Sequence, residues 1–266
     1  MRMPTFVKSA LLAGLATGLL TSVALAQQAG TATEVNATTR ALNAAGTQAR
    51  FLQTRGAVFT GDFITTNRTG QAQIRFADDT RMVIGPNAQL TIDSFVFQGP
   101  ANAQQITMGA IRGAFRFITG SSSKEAYTIR FPAGTIGVRG TELDIVVEPD
   151  GTGKVALWEG SIWICDTSSP RRCAEVDEPC TVLILRPNGA FEWVRNVYQR
   201  TALLEDEFPF AFAQQRVQQT YRVSSRSCEL REYNPPPASR DTSPAEPEVD
   251  APPPPPEEDD DPIIIP

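Results

Sequence analysis

The sequence predicts an all-β protein, built as a solenoid- or roll-like run of short β-hairpins, with a short C-terminal helical segment and a disordered Pro/acid-rich tail. Three observations predict this class. Apolar and polar residues alternate between residues 56 and 194, turn residues separate the alternating runs, and no long helical pattern interrupts them. Strict alternation is typical of half-buried strands, because successive side chains of a strand point to opposite faces.

The central runs illustrate the pattern. Ile111, Phe115 and Phe117 are predicted to share one face of a strand, and Arg112 and Arg116 the other. Glycine, proline and Asx residues favour tight turns, and they separate the runs at Thr69-Gly70, Gly85-Pro86-Asn87, Pro149-Asp150-Gly151 and Pro187-Asn188-Gly189. The β domain is therefore predicted to span residues 51–195.

The first 26 residues are predicted to be a secretory signal peptide. Arg2 and Lys8 give a positive start, residues 10–20 an apolar centre and residues 24–26 a small-x-small cleavage site. The alternative is an uncleaved anchor, but the apolar run is shorter than the ~20 residues that a span needs. The mature chain is therefore expected to be exported, periplasmic or beyond, with no integral membrane segment.

Both flanks of the β domain are predicted to be irregular or helical. Residues 27–50 are expected to form a linker or a weak helix. Residues 196–233 carry a stronger helical pattern that begins at Pro209, because proline suits a first helical position and the acids of residues 205–207 suit a helix N-terminus. One face of this helix would pack on the β body, with a partner-binding helix as the alternative, and it would hold Phe210, Ala213, Val217 and Tyr221.

The C-terminal tail, residues 234–266, differs in composition from the rest. It holds nine of the 30 acids and twelve of the 21 prolines. Proline and like charges oppose a packed core, so the tail is predicted to be disordered and extended. Its apolar tip, residues 263–266, is either a docking peptide or an unconstrained end. Residues 27–233 hold 21 bases and 21 acids, so the body is neutral.

The composition argues against several function classes. The chain has no histidine, which excludes Ser-His-Asp triads, Cys-His pairs and His-ligated zinc or haem. The net charge of −6 argues against nucleic-acid binding, which usually needs a basic patch. The sequence contains no phosphate-binding or dinucleotide-binding motif, so no cofactor is predicted. The carboxylate pairs predict only turn or surface chemistry, so no enzyme is predicted; they are Asp78 with Asp79, Glu142 with Asp144, and Glu148 with Asp150.

The four cysteines are expected to form two structural disulfides in an exported chain. Cys165 and Cys180 bracket a polar loop, so a bridge between them would clamp a hairpin base and leave Cys173 for Cys228. All three connectivities remain open at this point. Intervening stretches of 7, 6 and 47 residues do not match a zinc knuckle, so no metal site is predicted.

Five segments of the predicted β domain form an ordered set. The longest is FPAGTIGVRGTELDI at residues 131–145. The others are GDFITT at residues 61–66, QIRFADDT at 73–80, GAIRG at 109–113 and LWEGSI at 157–162. Taken in this order, the segments resemble the FecR domain family, and the resemblance covers roughly residues 50 to 165, under half of the chain.

The resemblance implies an extracytoplasmic β domain with a solenoid-like run of hairpins. The best-known members of the family sit in the inner membrane, hold a sigma factor with a cytoplasmic segment and receive a signal from an outer-membrane transporter through a periplasmic domain. This sequence has no cytoplasmic helical segment and no internal transmembrane pattern. What carries over is the periplasmic module, which contacts protein or glycan without chemistry.

Four residues are candidates for contact with a partner. Arg139 and Thr141 follow Gly137, in a segment whose glycines permit a bulge. Trp158 and Trp163 would either pack in the core or stack on a sugar ring or a partner side chain.

Arg139 has two possible roles. It would either brace the strand by pairing with Glu142 or Asp144, or reach a ligand. The predicted function is binding of another cell-envelope protein, in sensing or signalling, and the alternative is a glycan- or peptidoglycan-binding module of the envelope.

Overall fold

The structure is a computed structural model that describes residues 27–97, 103–169 and 171–228. In these ranges fifteen strands join into one open sheet, and a single α-helix follows them. The all-β class is therefore confirmed, and the solenoid- or roll-like arrangement stays a prediction. The predicted signal peptide and the Pro/acid tail lie outside the described residues.

The first eight strands are short, apart from the first and the last of them. They are β1 Gln28–Asn36, β2 Thr39–Leu42, β3 Ala49–Phe51, β4 Ala57–Phe59, β5 Phe63–Thr66, β6 Gln71–Phe76, β7 Arg81–Ile84 and β8 Gln89–Phe97.

The remaining seven strands include three long ones. They are β9 Ala103–Ile118, β10 Tyr127–Phe131, β11 Gly134–Val147, β12 Gly153–Asp166, β13 Cys173–Val176, β14 Val182–Leu185 and β15 Phe191–Trp193. The helix α1 spans Val197–Glu207, and four 3-10 turns span Lys124–Ala126, Gln214–Arg216, Gln219–Tyr221 and Arg226–Cys228.

The three long strands connect different parts of the sheet. The first half of β11 pairs with β10 and its second half with β9. Similarly, β12 pairs with β14 at its start and with β13 at its end. Each long strand therefore passes from one group of neighbours to another, which lets the sheet bend around its core.

The β11–β12 hairpin bends where two glycines meet. Gly140 and Gly160 have φ values of +64° and +83°, and a Cβ at position 160 would lie 2.0 Å from the Gly140 carbonyl oxygen. The pairing shifts register here, as it does at a β-bulge. As a result, Ile136 faces the core before the bend, whereas the odd-numbered Leu143 faces it afterwards.

The inner face of the bent sheet encloses the main hydrophobic core. Aromatic side chains contribute much of its volume: Phe76 stacks on Phe95 with ring centroids 5.4 Å apart, and Phe117 meets Tyr127 edge-on at 5.8 Å. Aliphatic residues from β9, β11 and β12 complete it. Burial of this apolar area is the main favourable term that holds the sheet in its bent form.

The prediction of a linker or weak helix at residues 27–50 is wrong. This segment holds β1 and β2, and β1 lies between β4 and β6. Ala29 and Ala32 are fully buried there. Small side chains suit a strand packed between two neighbours, and this long-range pairing outweighs the weak local preference.

The helix lies earlier than predicted. It is capped by Asn196, whose side chain accepts a hydrogen bond from the Gln199 backbone N–H at 3.1 Å, and it ends before Pro209. The acids of residues 205–207 therefore occupy its last turn, not a position before its first. The helix starts at the Asn196 N-cap and not at Pro209, because the Asn196 side chain satisfies a backbone N–H of the first turn that has no partner within the helix.

The segment after the helix, residues 208–228, runs across the outer face of the sheet, and we call it the strap. Its side chains form two outer clusters. Phe208 and Val223 pack with Trp158 and Ile118 in one. The second cluster holds three of the four predicted residues, Phe210, Val217 and Tyr221, whereas Ala213 is exposed. The predicted packing on the β body is thus right, but 3-10 turns achieve it instead of a helix.

The disulfides differ from the pairing that the polar loop suggested. Cys165 bonds Cys173, and Cys180 bonds Cys228. Cys165 and Cys173 are direct cross-strand partners in the β12–β13 hairpin, which leaves Cys180 to hold the end of the strap. In the described ranges, no helix is long and apolar enough to span a bilayer.

Candidate functional site

A buried ion pair fastens the strap to the sheet. Arg116 is fully buried and donates to both carboxylate oxygens of Asp144, at 2.6 and 2.7 Å. It also donates to the Phe210 carbonyl oxygen at 2.7 Å and to Gln214 Oε1 at 2.6 Å. Bidentate, charge-assisted bonds of this kind are the strong ones, so this cluster is structural and its atoms have partners.

Two of the four predicted contact residues are buried. Thr141 is 1% exposed and Trp158 is 5% exposed. Trp158 belongs to the outer cluster beneath the strap. Neither side chain is therefore available to a partner in this structure.

The other two lie on an open part of the outer face. Trp163 is 39% exposed, and Arg139 is exposed as well. Trp163 pairs with Gly137 across the β11–β12 hairpin and with Glu175 on its other side, while Arg139 pairs with Ser161. We call these five residues the Trp163 face.

The Trp163 face has free space at Gly137, the cross-strand partner of Trp163. A Cβ at Gly137 would meet only the Trp163 carbonyl oxygen, at 4.0 Å, so the surface at this position is open. Arg139 and Glu175, both exposed, supply opposite charges near it. The structure does not show Arg139 bracing the strand through Asp144, because the Asp144 carboxylate pairs with Arg116.

The carboxylate pairs occupy structural positions. Asp78 is buried and accepts hydrogen bonds from Thr80, Ser122 and Tyr127, so it fixes the loop before β10 to the β6–β7 turn. Asp150 accepts hydrogen bonds from Thr152. Among the described residues, no group of three potential metal ligands comes together.

Glu142 stands apart because it faces a like charge. It pairs with Glu159 at the bend of the β11–β12 hairpin. Burial and the nearby Glu159 raise the pKa of Glu142, and Arg81 and Arg116 offset this only in part. A raised carboxyl pKa means that the folded state holds this proton more tightly than the unfolded chain does.

Glu142→Gln is therefore expected to stabilise the protein at pH 7. The cost of the charged carboxylate is absent below its ordinary pKa of about 4.3 and develops as the pH rises through the raised folded value. Denaturant midpoints at about pH 3 and pH 7 measure this: the variant should gain only at the higher pH. Asp150→Asn is the control with the opposite sign, because hydrogen bonds from Thr152 lower the pKa of Asp150. Equal shifts at both pH values would contradict the prediction.

The sequence did not indicate the role of Arg116. Alternation placed it on the outer face of β9, where solvent is the usual environment, and the strap that covers it lies about 100 residues further along the chain, with Gln214 at a separation of 98. The available signal was the apolar content of the strap, with Phe208, Phe210 and Phe212 in a row of alternate positions. Such a segment needs a surface to cover.

Comparisons with known proteins bear on the β domain. Residues 62–163 match the family model of the FecR protein. No curated protein matches the chain.

Some solved structures are similar at low TM-scores. Two crystal structures of a putative anti-sigma factor from Parabacteroides distasonis ATCC 8503 each share 15% identity at a TM-score of 0.39, over 49% of this chain and 58% of that one. A cell surface anchoring domain shares 27% identity at a TM-score of 0.23, over 24% of this chain and 82% of that one. The chain thus spans little more than half of the anti-sigma factor structures.

The family match coincides with the centre of the fold. It contains β9, β10 and β11 and ends at Trp163 in β12, so it includes the bend at Gly140 and most of the Trp163 face. The predicted resemblance to the FecR domain family is therefore confirmed over residues 62–163.

Proposed function

We propose that the protein is a non-catalytic, exported contact module whose Trp163 face binds another cell-envelope protein, in envelope sensing or signalling. The observation that carries this proposal is the half-exposed Trp163 next to Arg139 on a part of the sheet that the strap leaves open. Tryptophan and arginine dominate the energetic centres of protein interfaces. Two disulfides suit an oxidising compartment such as the periplasm.

The rigidity of the surface supports a contact role. Trp163 sits in the middle of paired strands, with β11 on one side and β13 on the other, and the Cys165–Cys173 bridge lies two residues away. A side chain held by such a frame loses little conformational entropy on binding, which favours affinity.

Crosslinking in the native envelope tests the proposal. Trp163→Ala should reduce the yield of the crosslinked protein adduct by tenfold or more, on the order of a hot-spot loss. Tyr198→Ala is the matched control, because Tyr198 is an aromatic residue that is 83% exposed on α1 and is not one of the five residues of the Trp163 face. An adduct that survives Trp163→Ala and Arg139→Ala alike would contradict the role of this face.

A glycan ligand is the second candidate. The exposed Trp163, with open surface at its cross-strand partner Gly137, favours it, because flat aromatic faces stack on sugar rings. Retention on peptidoglycan or another envelope polysaccharide that depends on Trp163, with no protein adduct, would favour this ligand over a protein partner.

A further inference from the structure

The strap carries a one-sided charge. Residues 208–228 contain three arginines, Arg216, Arg222 and Arg226, and no acidic residue. All three are exposed. The 38 residues that follow, 229–266, contain eleven acids and two bases. A basic, acid-free surface segment is thus directly continuous with the most acidic segment of the chain.

The strap forms one cleft by itself and a second one with the sheet. The first has a volume of about 460 Å³ and is lined by Arg222 and Arg226 together with glutamine and serine residues; none of its described lining residues is acidic. It lies next to Cys228, at the point where the acidic segment begins.

The second cleft, of about 510 Å³, lies between the strap and the β6–β7 hairpin. Arg75 and Arg81 line it as direct cross-strand partners, an arrangement that costs stability because like charges repel. Asp79 pairs with Arg75, while Arg81 donates to the Thr220 carbonyl oxygen and also faces Glu142. Two guanidinium groups are therefore held side by side next to the strap.

We propose that the acidic C-terminal segment, residues 241–266, docks on the arginines that line the two clefts, with its carboxylates directed into both. The occupant is this chain's own tail, because the Cys180–Cys228 bridge fixes the start of the segment beside the first cleft. Tyr221 of the second cleft lies seven residues before Cys228, so at most ~25 Å separates them. A tail in place there keeps other polyanions away from the strap.

Covalent attachment of the tail to the body makes such docking favourable, although each individual contact is weak. Each exposed ion pair contributes little free energy, too little to hold a separate peptide. A tethered segment, however, has an effective concentration in the millimolar range, and the tail offers nine acids between residues 241 and 261. Salt weakens the docking, because the Debye length falls from about 30 Å at 0.01 M to about 3 Å at 1 M.

Zero-length crosslinking of the full chain tests the proposal. A carbodiimide condenses a carboxylate with an amine, and the mature chain has only two lysines, Lys124 and Lys154. Arg222→Lys places a new amine in the first cleft, whereas Arg195→Lys places one at an exposed position just before α1. Trypsin cleaves after Arg240 and releases residues 241–266 as one peptide, whose attachment site mass spectrometry identifies.

The expected result at about 0.01 M salt is at least tenfold more tail peptide on the new amine of Arg222→Lys than on that of Arg195→Lys, both measured in the monomer, and equal yields at about 1 M salt. Equal yields at low salt, or no attachment at position 222, would overturn the proposal. Attachment only within crosslinked dimers would also overturn it, in favour of docking onto a second copy. The Trp163 face takes no part in this experiment, so its outcome is independent of the proposed envelope partner.

Discussion

Replacing Arg116 with methionine is expected to destabilise the protein by about 3–5 kcal/mol, the usual cost of breaking a buried ion pair by removing one partner. The change leaves the Asp144 carboxylate buried without its bidentate partner. It also frees the Phe210 carbonyl oxygen and Gln214, through which Arg116 holds the strap. Urea denaturation of the full chain measures the loss as a lower midpoint.

Two controls separate the buried charge from other effects. The double variant Arg116→Met/Asp144→Leu should recover most of the stability, because no isolated charge remains in the interior. Arg186→Met removes a partner from the exposed pair with Glu192, whose side chains are 49% and 53% exposed, and should lower the urea midpoint far less than Arg116→Met does. If Arg116→Met and Arg186→Met had the same effect, the Arg116–Asp144 pair would not be what holds the strap.

The alternation of apolar and polar residues was sufficient to predict the strands, but not which of their residues face the core. It predicted Ile111 on the same face as Phe115 and Phe117, yet Ile111 is 40% exposed while both phenylalanines are in the core. Gly113, with a φ of +100°, lies between them, and the register shifts next to it. A bulge reverses the order of inward and outward positions, and a period of two cannot reveal it.

The same effect decides which tryptophan is accessible. Positions 158 and 163 would lie on opposite faces of a regular strand, because their separation is odd. The bend at Gly160 puts both on the outer face, where the strap covers Trp158 and leaves Trp163 open. The family resemblance indicated the right segment, but only the position of the strap distinguishes the two residues.

Contacts distant in sequence account for the remaining differences. The N-terminal strand β1 has alanines and threonines with little preference of their own, and its structure depends on β4 and β6. The disulfide pairing depends on the hairpin that brings Cys173 opposite Cys165. Neither the pairing of β1 nor the disulfide pairing can be derived from local composition. The start of α1, in contrast, had a local signal in Asn196, but Pro209 was interpreted as the start of the helix instead.

Removing the Cys180–Cys228 bridge is expected to cost more stability than removing the Cys165–Cys173 bridge. The bridges join residues 48 and 8 positions apart. If they act by restricting the unfolded chain, their losses amount to about 4 and about 2.5 kcal/mol. Double Cys→Ala variants of each pair, compared by urea denaturation without reductant, measure the difference. Variants at one cysteine alone are avoided, since they leave a free thiol that exchanges with the other bridge.

The pairing itself can be checked before any stability is measured. Digestion of the unreduced protein with trypsin and a glutamate-specific protease separates all four cysteines, because Arg172 lies between Cys165 and Cys173, and Glu175 between Cys173 and Cys180. Peptides joining Cys180 to Cys228 are expected, and a Cys165–Cys180 peptide would contradict the structure.

Removing the Cys180–Cys228 bridge is expected to lower stability for a second reason, which is separate from the entropy of the unfolded chain. The bridge holds the end of the strap, where Val223 packs with Trp158. Loss of the bridge is expected to expose Trp158 in the Cys180→Ala/Cys228→Ala variant. With rising urea, the tryptophan fluorescence of this variant should then shift to longer wavelength before the β domain unfolds. Such an early shift would show that the strap detaches as a unit while the sheet persists, because local elements can open at a lower free energy than the whole fold. A single transition in fluorescence and secondary structure would instead show that strap and sheet unfold together.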